Sequence, residues 1–272
     1  MRELVEQLAK GQRLDTKSLS ALLKQCTLDD SLLQFLRDYA VRTARQQFGL
    51  GIYIRGLIEL SSYCRDDCLY GGLRRSNRSA ERYRVTADEV LECCREGYKL
   101  GFRTFVMQGG EDGTHSDAWL EELICRIRSL YPDVAITLSL GERSEESYRR
   151  LKRAGANRYL LRHEAADEEL YASLHPDSRG IKHRLSCIEA LQRAEYQVGM
   201  GMMIGVKGQT IDHIAEDLLL VKKYDCQMVG IGPFLPHRAT PLGEEPAGDL
   251  RLTLAAVAIA RLLLPKALIP AT

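Results

Sequence analysis

Two cysteines four residues apart are the residues in this sequence whose type and spacing most directly suggest a metal or catalytic site. Cys64 and Cys68 lie in the stretch Cys-Arg-Asp-Asp-Cys-Leu-Tyr-Gly-Gly. Thiolates carried on one loop are common ligands of iron–sulfur clusters and of zinc. An iron–sulfur site on this loop would be expected to place a third cysteine at position 71, where the sequence has Gly71. Taken alone, such a pair is also compatible with two inert thiols, so its context must decide.

The elements around the pair alternate between strand-like and helix-like patterns. An apolar run, residues 52–60, predicts a strand just before the pair, and it is the first of about seven strands that alternate with helices. This order favours a parallel sheet with right-handed crossovers. No dinucleotide-binding fingerprint follows the first strand, so we predict an α/β fold of the (β/α) TIM-type barrel class, partial or C-terminally truncated. We predict that residues 1–50 form a helical segment that packs on the barrel core, and that residues 51–272 form this core. A strand begins at 267–269, and we expect the last strand or strands to be missing.

Composition excludes several classes of function. The 272 residues carry a net charge of +1, which gives no electrostatic basis for binding nucleic acid or an acidic membrane surface. No apolar run approaches the ~20 residues of a membrane span, and no signal peptide is visible. The cysteines are scattered, which favours a reducing, cytoplasmic location over a disulfide framework. Outside the pair we expect them to be structural: Cys26, Cys93, Cys94, Cys125, Cys187 and Cys226.

Polar residues collect at the predicted C-terminal ends of the strands. In a parallel barrel these ends lie on one face, so their convergence predicts an active site there. Each residue alone is weak evidence, because a histidine such as His163 is more often a hydrogen-bonded core residue than a catalytic base. The residues concerned are Cys64 and Cys68, residues 108–112, Thr137, Ser139 and Glu142, Arg162, His163 and Glu164, and Pro236 and His237.

Five strings of sequence at these strand ends form a specific combination. They are Tyr63-Cys-Arg-Asp-Asp-Cys-Leu-Tyr-Gly-Gly-Leu-Arg-Arg75, Gln108-Gly-Gly-Glu-Asp112, Thr137-Leu-Ser-Leu-Gly-Glu142, Arg158-Tyr-Leu-Leu-Arg-His-Glu164 and Val229-Gly-Ile-Gly-Pro-Phe234. Together they resemble the radical S-adenosylmethionine (SAM) enzymes, and within them the HydE family of iron–iron hydrogenase maturases. The likeness runs from about residue 2 to the end of the chain. Biotin synthase and methylornithine synthase are related barrels with a looser match.

The resemblance implies a [4Fe–4S] cluster held by three thiolates, with a fourth iron open to the amino and carboxylate groups of SAM. One electron from the cluster would cleave SAM to methionine and a 5′-deoxyadenosyl radical. By this match Cys64 and Cys68 are two cluster ligands, and Gly71 stands at the third position, where it cannot ligate iron. The cofactor-binding residues implied are Tyr70, Gln108, Gly109, Gly110, Glu111, Arg162, Glu164 and Arg184 around SAM, with Thr137 and Ser139 lining the barrel interior where substrate sits.

The resemblance also implies partners. The substrate would be a small organometallic or thiol compound, an iron–cysteine species on the way to the di-iron subcluster of the hydrogenase. An electron donor such as ferredoxin or flavodoxin and other hydrogenase maturation proteins would be the protein partners. Gly71 and the early end of the chain predict that the activity of this chain is reduced.

Two other interpretations stay open on the sequence. One is a different radical SAM reaction, of the biotin synthase or methylornithine synthase type. The other is a barrel without catalysis, which binds SAM or a small thiol, or which holds zinc on Cys64 and Cys68. Zinc would need two further ligands, for which His163 and His237 are the candidates.

Overall fold

Helices form the first part of the chain, and strands alternate with helices in the rest. A computed structural model describes residues 1–270. The helices are α1 (Arg2–Ala9), α2 (Thr16–Leu28), α3 (Asp30–Phe48), α4 (Ala87–Lys99), α5 (Asp117–Leu130), α6 (Glu145–Ala154), α7 (Glu168–Leu174), α8 (Ile181–Arg193), α9 (Ile211–Lys223) and α10 (Leu250–Leu263). The strands are β1 (Gly56–Ser61), β2 (Thr104–Gly109), β3 (Ala135–Ser139), β4 (Arg158–Leu160), β5 (Gln197–Ile204) and β6 (Met228–Pro233).

The six strands form one parallel sheet in the order β1 to β6. Within residues 1–270, β1 and β6 do not pair with each other, so the barrel is unclosed. The structure thereby confirms the predicted parallel α/β fold of the partial TIM-barrel type. Because all strands run the same way, their C-terminal ends and the loops that follow them share one face.

Two boundaries differ from the prediction. The first strand begins at Gly56, because residues 52–54 are exposed and do not join the sheet. The predicted strand at 267–269 is reduced to an isolated bridge between Leu268 and Met228, so six strands stand where about seven were predicted. An apolar run alone does not tell a strand from an exposed apolar segment.

The core lies on both faces of the sheet. Strand β5 shows the reason: after its first residue every position is buried, as expected for a parallel strand covered on two sides. Helices α2 and α3 pack against α9 and α10, so the N-terminal helices extend the outer layer. In the described part of the chain, no helix is long and apolar enough to cross a membrane.

Side-chain caps begin most of the helices that follow strands, and they fix the loops of the C-terminal face. Thr86 forms a capping box with Glu89 at the start of α4, directly after the cysteine loop. The same role falls to Ser116 for α5, Ser144 for α6 and Asp167 for α7.

Candidate active site at the C-terminal ends of the strands

The loop after β1 carries both cysteines and is held by polar contacts of its own. The Asp67 carboxylate accepts hydrogen bonds from the Ser76 N–H at 3.0 Å and hydroxyl at 2.7 Å, and pairs with Arg74 at 2.7 Å. These contacts outweigh burial and lower the pKa of Asp67 to about 2. Arg82 donates to backbone carbonyls on both sides of this turn, among them those of Arg74 and Asn77. The basic stretch after the cysteines therefore stiffens their loop.

The two thiols lie half-buried in an acidic environment. Burial raises the pKa of Cys64, although its sulfur accepts a hydrogen bond from the Glu111 N–H at 3.4 Å. Burial, then Asp66 and the other thiol, raise the pKa of Cys68 to about 12, and Arg184 acts in the opposite sense. Both thiols are consequently protonated at neutral pH unless a metal displaces the proton.

The glycines after β2 let the end of this strand lie directly against the cysteine loop. A Cβ at Gly110 would stand 2.3 Å from the Tyr63 carbonyl oxygen and 2.7 Å from the Cys64 Cβ. This close approach places the Glu111 carboxylate 2.6 Å from the Arg65 guanidinium and 3.0 Å from the Glu142 N–H. Glu111 is thus held in place by two partners within the protein.

Gly71, at the third position of the cysteine pattern, is surrounded by open space. A Cβ at Gly71 would meet no atom within 4 Å, so the loop has room for a side chain there. The protein itself offers two thiols and a glycine, which is one thiolate short of the set implied for the cluster. The donor set within the loop is therefore incomplete for a [4Fe–4S] cluster.

The end of β4 supplies a strained acidic residue. Glu164 has a left-handed backbone with φ of 65°, which is uncommon outside glycine and concentrates at functional sites. Its Oε1 lies 3.5 Å from the Arg162 Nε, while its Oε2 is buried and has no hydrogen-bond partner among the described residues. Glu164 also contributes to the raised pKa values of Cys68 and Tyr70, so the three groups are neighbours. An unpartnered buried carboxylate oxygen suits a ligand that brings an ammonium or hydroxyl group.

Arg184 reaches the same face from α8. Its Nε donates to the Tyr171 hydroxyl at 2.9 Å and lies 3.2 Å from Glu142 Oε1. It lines a cavity of about 300 Å³ together with residues from the first three strand ends and the α7–α8 loop: Arg65, Asp66, Arg75, Glu111, Glu142, Asp177, Ser178 and Arg179.

Tyr70 is fixed by two residues that sequence reasoning missed. The His175 Nδ1 donates to the Tyr171 carbonyl at 2.8 Å, which leaves its Nε2 to accept from the Tyr70 hydroxyl, also at 2.8 Å. Tyr171 and His175 stack with ring centroids 4.2 Å apart. Both lie in or beside α7, where no motif in the sequence indicated them.

The remaining predicted residues split between the two ends of the barrel. Gln108 donates its amide to Glu59 at 3.1 Å and stands opposite Ser139 in the sheet, at the C-terminal ends. Thr137 lies on the same face of β3 as Ser139 but is buried, and it lines a separate cavity of about 530 Å³. Arg158, which begins β4, lines that cavity too, so it lies at the opposite, N-terminal ends of the strands.

The histidines proposed for zinc have other partners. His163 is buried, its Nε2 lies 3.1 Å from Asp217 Oδ1, and its Nδ1 accepts from the Gly201 N–H at 3.3 Å. It is the hydrogen-bonded core histidine that the sequence analysis weighed as the commoner case. The His237 Nδ1 accepts from the Ala239 N–H at 3.2 Å. Among residues 1–270, no third histidine, cysteine or carboxylate ligand atom closes a compact group on Cys64 and Cys68.

Comparisons with known proteins agree with this arrangement. A family model described as the radical SAM superfamily matches residues 58–221. The chain is 46% identical over 228 residues to the [FeFe] hydrogenase maturase subunit HydE of Thermotoga maritima, an alignment that covers 84% of this chain and 65% of that protein. It is 28% identical to the 3-methylornithine synthase of Methanosarcina acetivorans, with 98% of this chain and 75% of the relative covered. The crystal structure of methylornithine synthase (PylB) superposes with a TM-score of 0.89 at 26% identity, over 98% of this chain and 78% of that one.

Proposed function

The chain belongs to the radical SAM superfamily of enzymes, and on that premise we propose that it is a SAM-dependent enzyme of the hydrogenase-maturase type. The observation that carries the proposal is the buried Glu164 carboxylate oxygen, which has no partner among the described residues and lies where Glu164 and Arg184 both influence the Cys68 thiol. The 46% identity to HydE of Thermotoga maritima supports the assignment to maturases. The chain spans about 65% of the length of that relative.

We propose that charge complementarity binds SAM on this face. Arg162 and Arg184 supply guanidinium groups for the carboxylate of the methionine moiety, a pairing that favours arginine. Glu164 accepts hydrogen bonds from the ammonium group or from a ribose hydroxyl. The remaining contacts with SAM are proposed for Tyr70 and for Gln108, Gly109, Gly110 and Glu111 at the end of β2. Ser139 and, deeper in the barrel, Thr137 are proposed to face the substrate.

The proposed reaction is the reductive cleavage of SAM within the barrel. Cys64 and Cys68, together with a third ligand, would hold a [4Fe–4S] cluster, which would supply the electron for this cleavage. The proposed substrate is a small sulfur-containing iron complex, with ferredoxin or flavodoxin as electron donor and with other maturation proteins as partners. Since all eight cysteines are free thiols in the structure, a reducing, cytoplasmic location is part of the proposal.

Gly71 makes the cluster the testable part of this proposal. Because the loop has open space at that position, a third thiol can be added without moving the backbone. We expect Gly71→Cys, reconstituted with iron and sulfide without oxygen, to hold about four irons per chain. We expect the chain with glycine, and the matched Gly71→Ser variant, to hold less than half of that.

Electron paramagnetic resonance with and without SAM completes the experiment. A signal of Gly71→Cys that shifts on addition of SAM supports both the cluster and its open iron. A complete, SAM-responsive cluster in the chain with glycine would contradict the proposed deficit and require another ligand. If neither protein binds iron, the radical SAM assignment of this loop is wrong.

A further inference from the structure

Three potential metal ligands meet between the end of β3 and helix α8, outside the cysteine loop. Glu142 Oε2 lies 3.3 Å from His183 Nε2, and Cys187 Sγ lies 3.7 Å from the same nitrogen. The three ligand atoms all lie within 4.8 Å of one another, and this is the only such group of histidine, cysteine and carboxylate ligands within residues 1–270. We call this group the α8 site.

The spacing of these atoms matches the edges of a metal coordination tetrahedron. Metal bonds of roughly 2.0–2.1 Å to nitrogen and oxygen and about 2.3 Å to sulfur, at tetrahedral angles, separate N from O by about 3.4 Å and S from N by about 3.6 Å. The observed separations are 3.3 Å for Glu142 to His183 and 3.7 Å for Cys187 to His183. The third pair, Glu142 and Cys187, lies within 4.8 Å, so side-chain adjustment would let one cation contact all three ligand atoms.

Hydrogen bonding alone does not account for the crowding at the His183 nitrogen. The carboxylate of Glu142 can only accept, whereas the Arg179 guanidinium, 3.3 Å from the same nitrogen, can only donate. A single imidazole nitrogen makes one hydrogen bond, so it cannot satisfy both neighbours and the thiol. A cation between Glu142, His183 and Cys187 satisfies three of the four groups. Arg179 is exposed and can turn toward solvent.

The elements that carry the ligands hold them in place. His183 and Cys187 are four residues apart on α8 and share one face of that helix. The second oxygen of Glu142 lies 3.2 Å from Arg184, and Cys187 is buried and within hydrogen-bond reach of the Tyr148 hydroxyl. Outer partners of this kind orient metal ligands and tune their affinity.

We propose that Glu142, His183 and Cys187 form a binding site for a divalent cation of the zinc or ferrous iron class. Thiolate and imidazole ligands select these metals over magnesium and calcium. Three protein ligands leave a fourth coordination position open, as in catalytic zinc sites. Glu142 and His183 also line a cavity of about 560 Å³, in which Arg65 and Arg143 favour an anionic fourth ligand such as a carboxylate. Cys187, which the sequence placed among the structural cysteines, acquires a function under this proposal.

Anaerobic titration with Co²⁺ tests the site, because a thiolate bound to cobalt gives a charge-transfer absorption band. We expect the unmodified chain to bind one Co²⁺ with this band, and Zn²⁺ to displace it. Cys187→Ser should remove the band and lower the affinity at least tenfold, and His183→Gln should lower it to a similar extent. Cys93→Ser, at an exposed cysteine on α4, is the matched control and should bind as the unmodified chain does.

Two further variants make the result decisive. The double variant Cys64→Ala/Cys68→Ala should keep the band, since the α8 site shares no ligand with the cysteine loop. Glu142→Gln, which changes charge but little volume, should lower the affinity while circular dichroism shows an intact fold. A band that survives Cys187→Ser but disappears in the double variant, or no band at all, would overturn the proposal. The titration uses neither SAM nor a cluster, so its outcome is independent of the proposed maturase reaction.

Discussion

The cysteine loop and the α8 site are built in opposite ways, although both gather potential metal ligands on the same face of the barrel. In the loop, Cys64 and Cys68 are close in sequence, and their motif lacks its third thiol at Gly71. In the α8 site, ligands from two separate elements reach coordinating distances without any motif. The loop depends on its own hydrogen bonds for its shape, whereas the α8 site depends on how α8 packs next to the end of β3.

The loop lacks a third thiol, and its shape is fixed by other residues. Asp67, Arg74 and Arg82 fix its course through hydrogen bonds that do not involve position 71. The space at Gly71 remains open, and the Glu111 N–H still points at the Cys64 sulfur. The missing feature is therefore a metal ligand, while the loop backbone that would present a metal to SAM is held by its own hydrogen bonds.

The largest expected effect is a difference in stability between alanine substitutions at two glycines of this region. Gly110→Ala places a methyl group against the backbone of the cysteine loop, 2.3 Å from the Tyr63 carbonyl oxygen, and should lower the free energy of unfolding by roughly 3 kcal/mol. Gly71→Ala fills open space and should change it by less than about 0.5 kcal/mol. Urea unfolding of both variants measures the difference. Equal midpoints would show that the end of β2 does not need its close approach to the loop.

The next effect concerns SAM itself. Glu164→Gln removes the charge from the carboxylate proposed to receive SAM, and should raise the Kd for SAM about tenfold or more, since hydrogen bonds between charged groups contribute roughly 1.5–3 kcal/mol. Glu195 has the same left-handed backbone, with φ of 61°, but lies exposed in the α8–β5 loop. Glu195→Gln is therefore the matched control and should leave the Kd unchanged. Isothermal titration calorimetry gives both values, and equal losses in the two variants would refute a direct role of Glu164.

The sequence predicted what topology dictates. Once β-strands and helices alternate, parallel strands bring the residues after β1 and β4 together, and the proximity of Cys68, Tyr70 and Glu164 follows. Thr137 lies within β3 and lines a cavity at the N-terminal ends of the strands, so its role in facing a substrate stays a prediction.

Contacts between residues on different helices and loops could not be predicted from the sequence. The hydrogen bond from Tyr70 to His175 and the approach of Glu142 to α8 depend on where α7 and α8 settle on the sheet. Spacing along the chain reveals only partners on one element, such as His183 and Cys187. It does not reveal the third group that another element contributes.

The smallest expected effect tests whether packing alone holds α8 in position. Glu145, at the start of α6, accepts hydrogen bonds from Arg193 of α8 and from Arg149, each at 2.7 Å, and these bonds lower its pKa to about 2. A carboxylate whose folded pKa lies below its ordinary value of about 4.3 stabilises the protein above that pH, and the contribution disappears as the pH falls towards 2. The pair is exposed to solvent and its contribution is therefore small.

We expect Glu145→Gln to lower the Tm by at most about 2 °C at pH 7, with the difference shrinking as the pH falls below about 4.3. Glu146→Gln, which breaks an ion pair within α6 alone, is the matched control. Because buried residues such as Ile188 and Leu191 anchor α8 in the core, the Co²⁺ affinity of the α8 site should change less than about twofold in either variant. A tenfold loss in Glu145→Gln alone would mean that a surface ion pair sets the position of His183 and Cys187. The α8 site would then depend on polar contacts, as the cysteine loop does, and the proposed contrast between the two sites would be wrong.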